Sequence, residues 1–185
     1  MNTLTDTPAV LSQVSEYAYM QCILQANFGQ LEQASVWYHE AQEVAEDVAE
    51  NLGVSLEVGA SIVSAFSPRE RWSSNVAKAL AFSMGKPVSG LQNNYRMAES
   101  AMELGFDALN GQKTNAFARA IAGDPNAVVI DVWMIRAAGL DASKGVNKTQ
   151  YNTLADSVRN VAKEFGITPR TAQALIWIVV RGNHA

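Results

Sequence analysis

One cysteine, Cys22, is all the thiol this chain holds. That excludes an intramolecular disulfide and an iron–sulfur cluster held by four cysteines. Histidine is nearly as scarce: His39 and His184 are too few for an imidazole-based metal site, so no metal and no cofactor is expected. No run of about 18 apolar residues occurs, so no transmembrane helix is expected. The start, MNTLTDTPAV, lacks the positive charge and apolar stretch of a signal peptide. The expectation is a cytoplasmic protein that does not meet a membrane. Charged residues make up only 17% of the chain and hydrophobic ones 48%, which argues against extended disorder and for a sizeable core. At 185 residues it forms one domain, or two small lobes sharing a groove.

Basic residues are missing from a whole third of the sequence. Residues 1–58 contain no Lys or Arg but nine acids: Asp6, Glu16, Glu32, Glu40, Glu43, Glu46, Asp47, Glu50 and Glu57. All 14 bases and the other nine of the 18 acids fall in 59–185, a balance of +5 there against −4 for the whole chain. Such asymmetry suits one face that meets a polyanion and another that does not; a solvated acidic helix explains the first third equally well. The expectation is a single domain over 1–185, with acidic N-terminal helices over 1–58, a core over 59–140 and C-terminal helices over 141–185.

What is present reads as helix. Apolar positions at mixed three and four spacing run through 12–28 and 31–52, the second ending at Gly53. Ser55 suits an N-cap for a helix over 56–66, which stops before Ser67-Pro68. Further helices are expected over 69–84, 92–104, 113–122, 131–139, 149–165 and 169–181, the last opened by Thr168-Pro169 as cap and first residue. Breaks fall at 85–90, at the Gly123-Asp124-Pro125 turn and at the loop 140–149. The AVVI stretch, 127–130, has strand propensity but no partner strand, so it reads as a buried extended entry to the next helix. The fold class is all-α, with about eight helices by periodicity.

The segment GQKTNAFARAIAGDPNAVVIDVWMIR, 111–136, carries the chemistry. Leu109-Asn110-Gly111-Gln112 precedes Lys113-Thr114; Asp131 follows Lys113 by eighteen positions, across the Gly-Asp-Pro turn, and Arg136 follows Asp131 by five. This order resembles the core motif of the helix-hairpin-helix DNA glycosylase superfamily, best over 55–140. Val63-Ser64-Ala65 and Asn75-Val76-Ala77-Lys78-Ala79 resemble the segment with which that superfamily probes the minor groove. Ser67-Pro68, Trp72-Ser73-Ser74-Asn75 and the spacing Gln173-Ala174, Trp177, Arg181 bring the chain nearer to phage and bacterial glycosylase-like proteins. The sequence departs from the family pattern in a hairpin one residue short, without its second glycine, and in Val132-Trp133 where Thr-His is common.

The resemblance implies a two-lobed helical fold with a degenerate helix-hairpin-helix, and an enzyme that flips a modified or damaged nucleotide and cleaves its N-glycosidic bond. It implies Lys113 as a Schiff-base nucleophile and Asp131 as the carboxylate that stabilises charge at C1′ or orients the nucleophile. Phage relatives that attach an amino acid to a modified thymine supply an alternative reaction, and a non-catalytic DNA or protein binder is a third outcome. From the residues themselves, Asp131 reads equally as a helix cap and Lys113 as a solvated or phosphate-contacting lysine. Gly111, Gln112, Thr114 and Asn115 suit a phosphate-binding helix start. Ser67, Arg69, Arg71 and Asn75, beside Trp72, suit a DNA-contacting wedge, although Trp72 also suits the core. Trp133, Arg136, Trp177 and Arg181 are expected to form an interior network, in which each guanidinium needs a partner such as Asp131. The partners expected are DNA, and a protein met through the acidic helices.

Overall fold

The computed structural model describes residues 7–182. Among them there are nine α-helices and no strand, so the chain is all-α. The helices are α1 (Pro8–Leu24), α2 (Phe28–Leu52), α3 (Leu56–Ala65), α4 (Trp72–Ser83), α5 (Gln92–Leu104), α6 (Gln112–Ile121), α7 (Val132–Ala137), α8 (Lys148–Glu164) and α9 (Pro169–Gly182). Short 3-10 turns cover Gly105–Ala108 and Ala142–Lys144. The helices fall into two compact units, one built from 7–37 with 125–182 and the other from 38–124. The divisions lie inside α2 and at the Gly-Asp-Pro turn, whereas the change of charge along the sequence falls at 58.

Several helix starts differ from the periodicity reading, each for a local reason. α1 begins at Pro8 rather than residue 12, because a proline suits the first turn there as Pro169 does in α9, although Thr7, unlike Thr168, makes no side-chain cap bond. α2 begins at Phe28, inside what reads as the end of the first helix. Asn27 accepts from the Gln30 amide at 3.0 Å while its own amide donates to the Gln30 side chain at 2.9 Å. Asn147 and Gln150 form the same reciprocal box and start α8 at Lys148. Both boxes use Asn and Gln in place of the commoner Ser/Thr and Glu. α4 starts at Trp72 rather than 69, because Arg69 takes a left-handed backbone (φ 64°) that no helix accommodates.

In the terminal unit, α1 buries Leu11, Ser15, Tyr19 and Ile23, four positions at helical spacing, and packs on α8, α9 and α7. The Ser15 and Ser157 hydroxyls meet at 2.8 Å between α1 and α8. α9 is the core of this unit: 172–176 and 178–180 are all buried. The 127–130 stretch is buried and lies outside any helix or strand. The Ile130 amide donates to the Tyr151 hydroxyl at 3.2 Å and that hydroxyl donates to the Val128 carbonyl at 3.3 Å, so one side chain satisfies an otherwise ladderless segment.

In the central unit α3 is the hub, buried from Gly59 to Ala65 and packed on α4, α5 and α6. Gly59 permits a close helix approach: a Cβ there would lie 2.2 Å from the Ala45 carbonyl oxygen of α2. The Ser64 hydroxyl donates to the Thr114 carbonyl at 2.7 Å and ties α3 to the first turn of α6.

Candidate functional site

Asp131 is the N-cap of α7. Its Oδ1 accepts from the amides of Trp133 at 2.9 Å and Met134 at 3.1 Å. Its Oδ2 accepts from the indole Nε1–H of Trp177 at 3.0 Å. The cap reading of this residue is therefore realised, and the indole bond comes in addition to it. A carboxylate has about four acceptor directions; three are used, and the group is only half-buried. Asp131 is thus a fixed carboxylate with one acceptor direction left.

Around it stand aromatic and basic residues of α2, α7 and α9. Trp177 meets Trp37 at 5.8 Å between ring centroids. The Arg181 guanidinium lies over the Trp177 ring and that of Arg136 over the Trp133 ring, each 4.7 Å from the centroid. Both arginines are exposed. This corrects the expectation of buried guanidiniums paired with Asp131: a stacked guanidinium keeps its charge in water and needs no carboxylate. Trp177 is half-buried and bonded through its N–H rather than enclosed in apolar core.

Tyr19, fully buried, donates to the Met134 carbonyl at 3.1 Å. Burial first, then the charges of Cys22 and Asp131, push its hydroxyl far above the ordinary phenol range, so it remains a neutral donor. Tyr151 is also raised, mainly by burial, with Asp131 adding to the shift. Burial likewise raises the Cys22 thiol. Sequence reasoning missed Tyr19 and Tyr151 as neighbours of Asp131, and Trp37 as a neighbour of Trp177. The spacing that puts Tyr19 on the buried stripe of α1 was legible; no signal links Trp37 to residue 177 or Tyr151 to residue 131.

The other expected site residues lie in the central unit. α5, the 3-10 turn Gly105–Ala108 and α6 make a helix–turn–helix. Gly111 is the N-cap of α6 and offers no side-chain cap; it and Lys113 are exposed. Thr114 and Asn115 work on the turn itself. The Thr114 hydroxyl donates to the Gly111 carbonyl at 3.0 Å, and the Asn115 amide donates to the carbonyls of Phe106 at 2.9 Å and Leu109 at 3.4 Å. The outward part of this helix start is therefore Gly111 to Lys113, with Gln112 half-buried between them.

The Ser67–Asn75 stretch is the other notable place in this unit. Arg69 and Arg71 are exposed, and Trp72 packs edge-on against Phe117 at 6.4 Å. Arg69 is the one non-glycine residue with positive φ among the described residues. The Ser67 Oγ and Asn75 Oδ1 are buried with no hydrogen-bond partner, and Asn75 is only 2% exposed. Nearby, Glu70 accepts from Lys78 and from Ser74, which hold its carboxyl below the usual range. A half-open cavity of about 500 Å³ lies beside Lys78, walled by Phe66, Leu91, Asn94 and Tyr95.

The structure thus gathers Asp131, Trp133, Arg136, Trp177 and Arg181 in the terminal unit. Lys113, Gly111 and the Ser67–Asn75 group belong to the central one. Among the described residues no group of His, Cys, Asp and Glu side chains is placed to hold a metal ion, and no helix is long and apolar enough to cross a membrane.

Residues 6–184 match the family of unknown function DUF7178, and the chain belongs to that family. No curated protein and no solved structure matches it.

Proposed function

We propose that this member of DUF7178 acts on DNA, drawing a nucleotide out of the stack and breaking its N-glycosidic bond. The observation that carries the reading is the Asp131 carboxylate, pinned by two amides and an indole with one acceptor direction unspent. A fixed anion beside a sugar stabilises the positive charge that develops at C1′ and needs no reorganisation as the bond breaks. Water forms the new bond to C1′ and gives up a proton. The base leaves with the bonding electron pair and takes up a proton. A lysine nucleophile would give a Schiff base instead, and Lys113 is the residue tested for that alternative.

The Ser67–Asn75 stretch supports the DNA-contacting part of the proposal. Left-handed backbone at a non-glycine residue and unsatisfied buried polar atoms each cost free energy and concentrate at functional sites. Arg69 and Arg71 would meet phosphates, and Trp72 would stand beside the gap left by the extruded nucleotide. Gly111 and Lys113 at the open start of α6 supply a second phosphate contact.

The test compares wild type with Asp131→Asn and Lys113→Ala on duplexes carrying an abasic site, a uracil or a modified pyrimidine. Asn preserves the cap, so Asp131→Asn is expected to stay folded and lose about 10²- to 10³-fold in base release. Borohydride trapping reports on Lys113: an adduct lost in Lys113→Ala assigns it as nucleophile, and no adduct with base still released assigns water. Mass spectrometry of digested DNA separates base loss from the addition of an amino acid to a modified thymine. DNA bound with neither change would establish a binding-only protein, a reading favoured by the fact that cap and indole alone account for the three bonds of Asp131. Absence of DNA binding would remove the proposal.

A further inference from the structure

We propose that the cavity of the central unit binds a flat, neutral heterocycle that carries both a carbonyl and a ring N–H, as a nucleobase of the uracil type does. The cavity holds about 500 Å³ and lies among the end of α3, α4, α5 and the connection between α4 and α5. Small-molecule sites of about 300–1,000 Å³ combine apolar walls with a few placed polar groups, and this cavity has both. Phe66 and Tyr95 line it, and the Phe82 ring is tilted against each, at 5.6 and 5.4 Å between centroids. Phe82 thus backs two aromatic walls, surfaces on which a flat ring packs well.

Two polar groups on the cavity have hydrogen-bonding capacity to spare. Asn94 lines it, is 4% exposed, and donates from Nδ2 to the Pro68 carbonyl at 3.2 Å, which fixes which amide atom is which. Its Oδ1 takes no bond from any described residue and, unlike the Asn75 Oδ1, is not sealed from solvent. Lys78 is the second group: its ammonium has three N–H donors, and Glu70 takes one. Gly90 leaves that ammonium uncovered, since a Cβ there would lie 2.7 Å from Nζ. Charge then selects the ligand. Glu70 already balances Lys78, so an anion would meet the carboxylate and a cation the ammonium. A neutral carbonyl accepts from Lys78, and a ring N–H donates to Asn94. The inference stands apart from the glycosidic reading, because Asp131 belongs to the terminal unit and binding is read without base release.

The experiment titrates the full chain with uridine and follows the backbone amides by NMR. Saturable binding with Kd below about 1 mM is expected, with the shifts gathered at Phe66, Lys78 and 88–95. 3-Methyluridine, which keeps the ring and loses its N–H, is expected to bind at least about tenfold more weakly, because it leaves the Asn94 acceptor unpaired. Lys78→Met/Glu70→Gln strands neither charge and is expected to lose at least about tenfold as well; circular dichroism verifies its fold. The methylated ligand is tested on wild type, so the proposal stays open to refutation even if that variant misfolds. Absence of saturable uridine binding, equal binding of 3-methyluridine, shifts centred elsewhere, or full affinity in the folded double variant would overturn the proposal. So would tighter binding of benzoate, which is flat and anionic. An oligodeoxyuridine strand that displaces uridine names a base within a strand as the source, and failure to displace it names the free nucleoside; either supports the site.

Discussion

Asn75 offers a test in which stability and function are expected to move in opposite directions. Its side chain is 2% exposed and its Oδ1 accepts no hydrogen bond. A buried polar atom left unpaired costs about 1–3 kcal/mol. Leu has the same number of side-chain heavy atoms, so Asn75→Leu removes that cost with little change in volume, although its tetrahedral branch requires some repacking. A net gain of about 1 kcal/mol follows, and for a chain of this length that raises Tm by about 2–4 °C. Asn94, also in the central unit and 4% exposed, is the control with the opposite sign. Its Nδ2 donates to the Pro68 carbonyl at 3.2 Å. Asn94→Leu strands that carbonyl and is expected to lose about 1–3 kcal/mol. Thermal unfolding, with hydrogen exchange in α4 to follow the local effect, measures both variants. If Asn75→Leu falls as far as Asn94→Leu, Oδ1 is bonded in solution and the argument from its orphan state is refuted. Under the proposed function the stabilised Asn75→Leu also binds duplex DNA more weakly than wild type.

Three further outcomes follow from the packing and the polar contacts. Gly59→Ala should gain helix propensity yet lose about 1–3 kcal/mol overall, because its Cβ would sit 2.2 Å from the Ala45 carbonyl oxygen; a urea midpoint above wild type would show that α2 and α3 do not approach so closely. Glu70 has a folded pKa below its ordinary value, chiefly through the hydrogen bond from Lys78. Its stabilisation is therefore present above the ordinary carboxylate range and lost as pH falls through the depressed value. Wild type should exceed Glu70→Gln in urea midpoint at pH 7 and converge with it in acid; a difference constant with pH would contradict this. Trp177→Phe removes a bond to a charged acceptor, worth about 1.5–3 kcal/mol in an Asp131 background and much less in Asp131→Asn. Additive losses in that double-mutant cycle would mean that the indole–carboxylate bond contributes nothing.

The helical class was legible because the periodicity of apolar residues is strong and strand partners are lacking. The helix starts were legible only where the cap took a familiar form. Thr168-Pro169 was read and Thr7-Pro8 was not, and both Asn/Gln boxes, at 27 and 147, were passed over. The two-unit division was hidden for another reason. One boundary lies inside α2, where a continuous helix leaves no break in pattern at residue 37. The one change in charge, at 58, tracks solvation rather than packing and so does not mark the division.

The site divides along the same line between local and distant information. Asp131 was legible as a cap because its two amide donors lie two and three residues ahead. Its third donor, Trp177, lies 46 residues away, and no spacing rule reaches that far. The arginines were misread as buried because their neighbours in sequence are apolar; in the fold they stack on indoles at the surface. Capping and catalysis do not compete for Asp131. The bonds that hold α7 also fix the direction of the carboxylate, which is what a preorganised electrostatic group requires. A change that keeps the cap and removes the charge separates the two roles. If Asp131→Asn loses no more than about 1.5–3 kcal/mol of stability, the cost of the lost bond between the indole and a charged acceptor, and leaves base release unchanged, the carboxylate serves only the fold. If stability holds and base release falls by orders of magnitude, the same three bonds serve both.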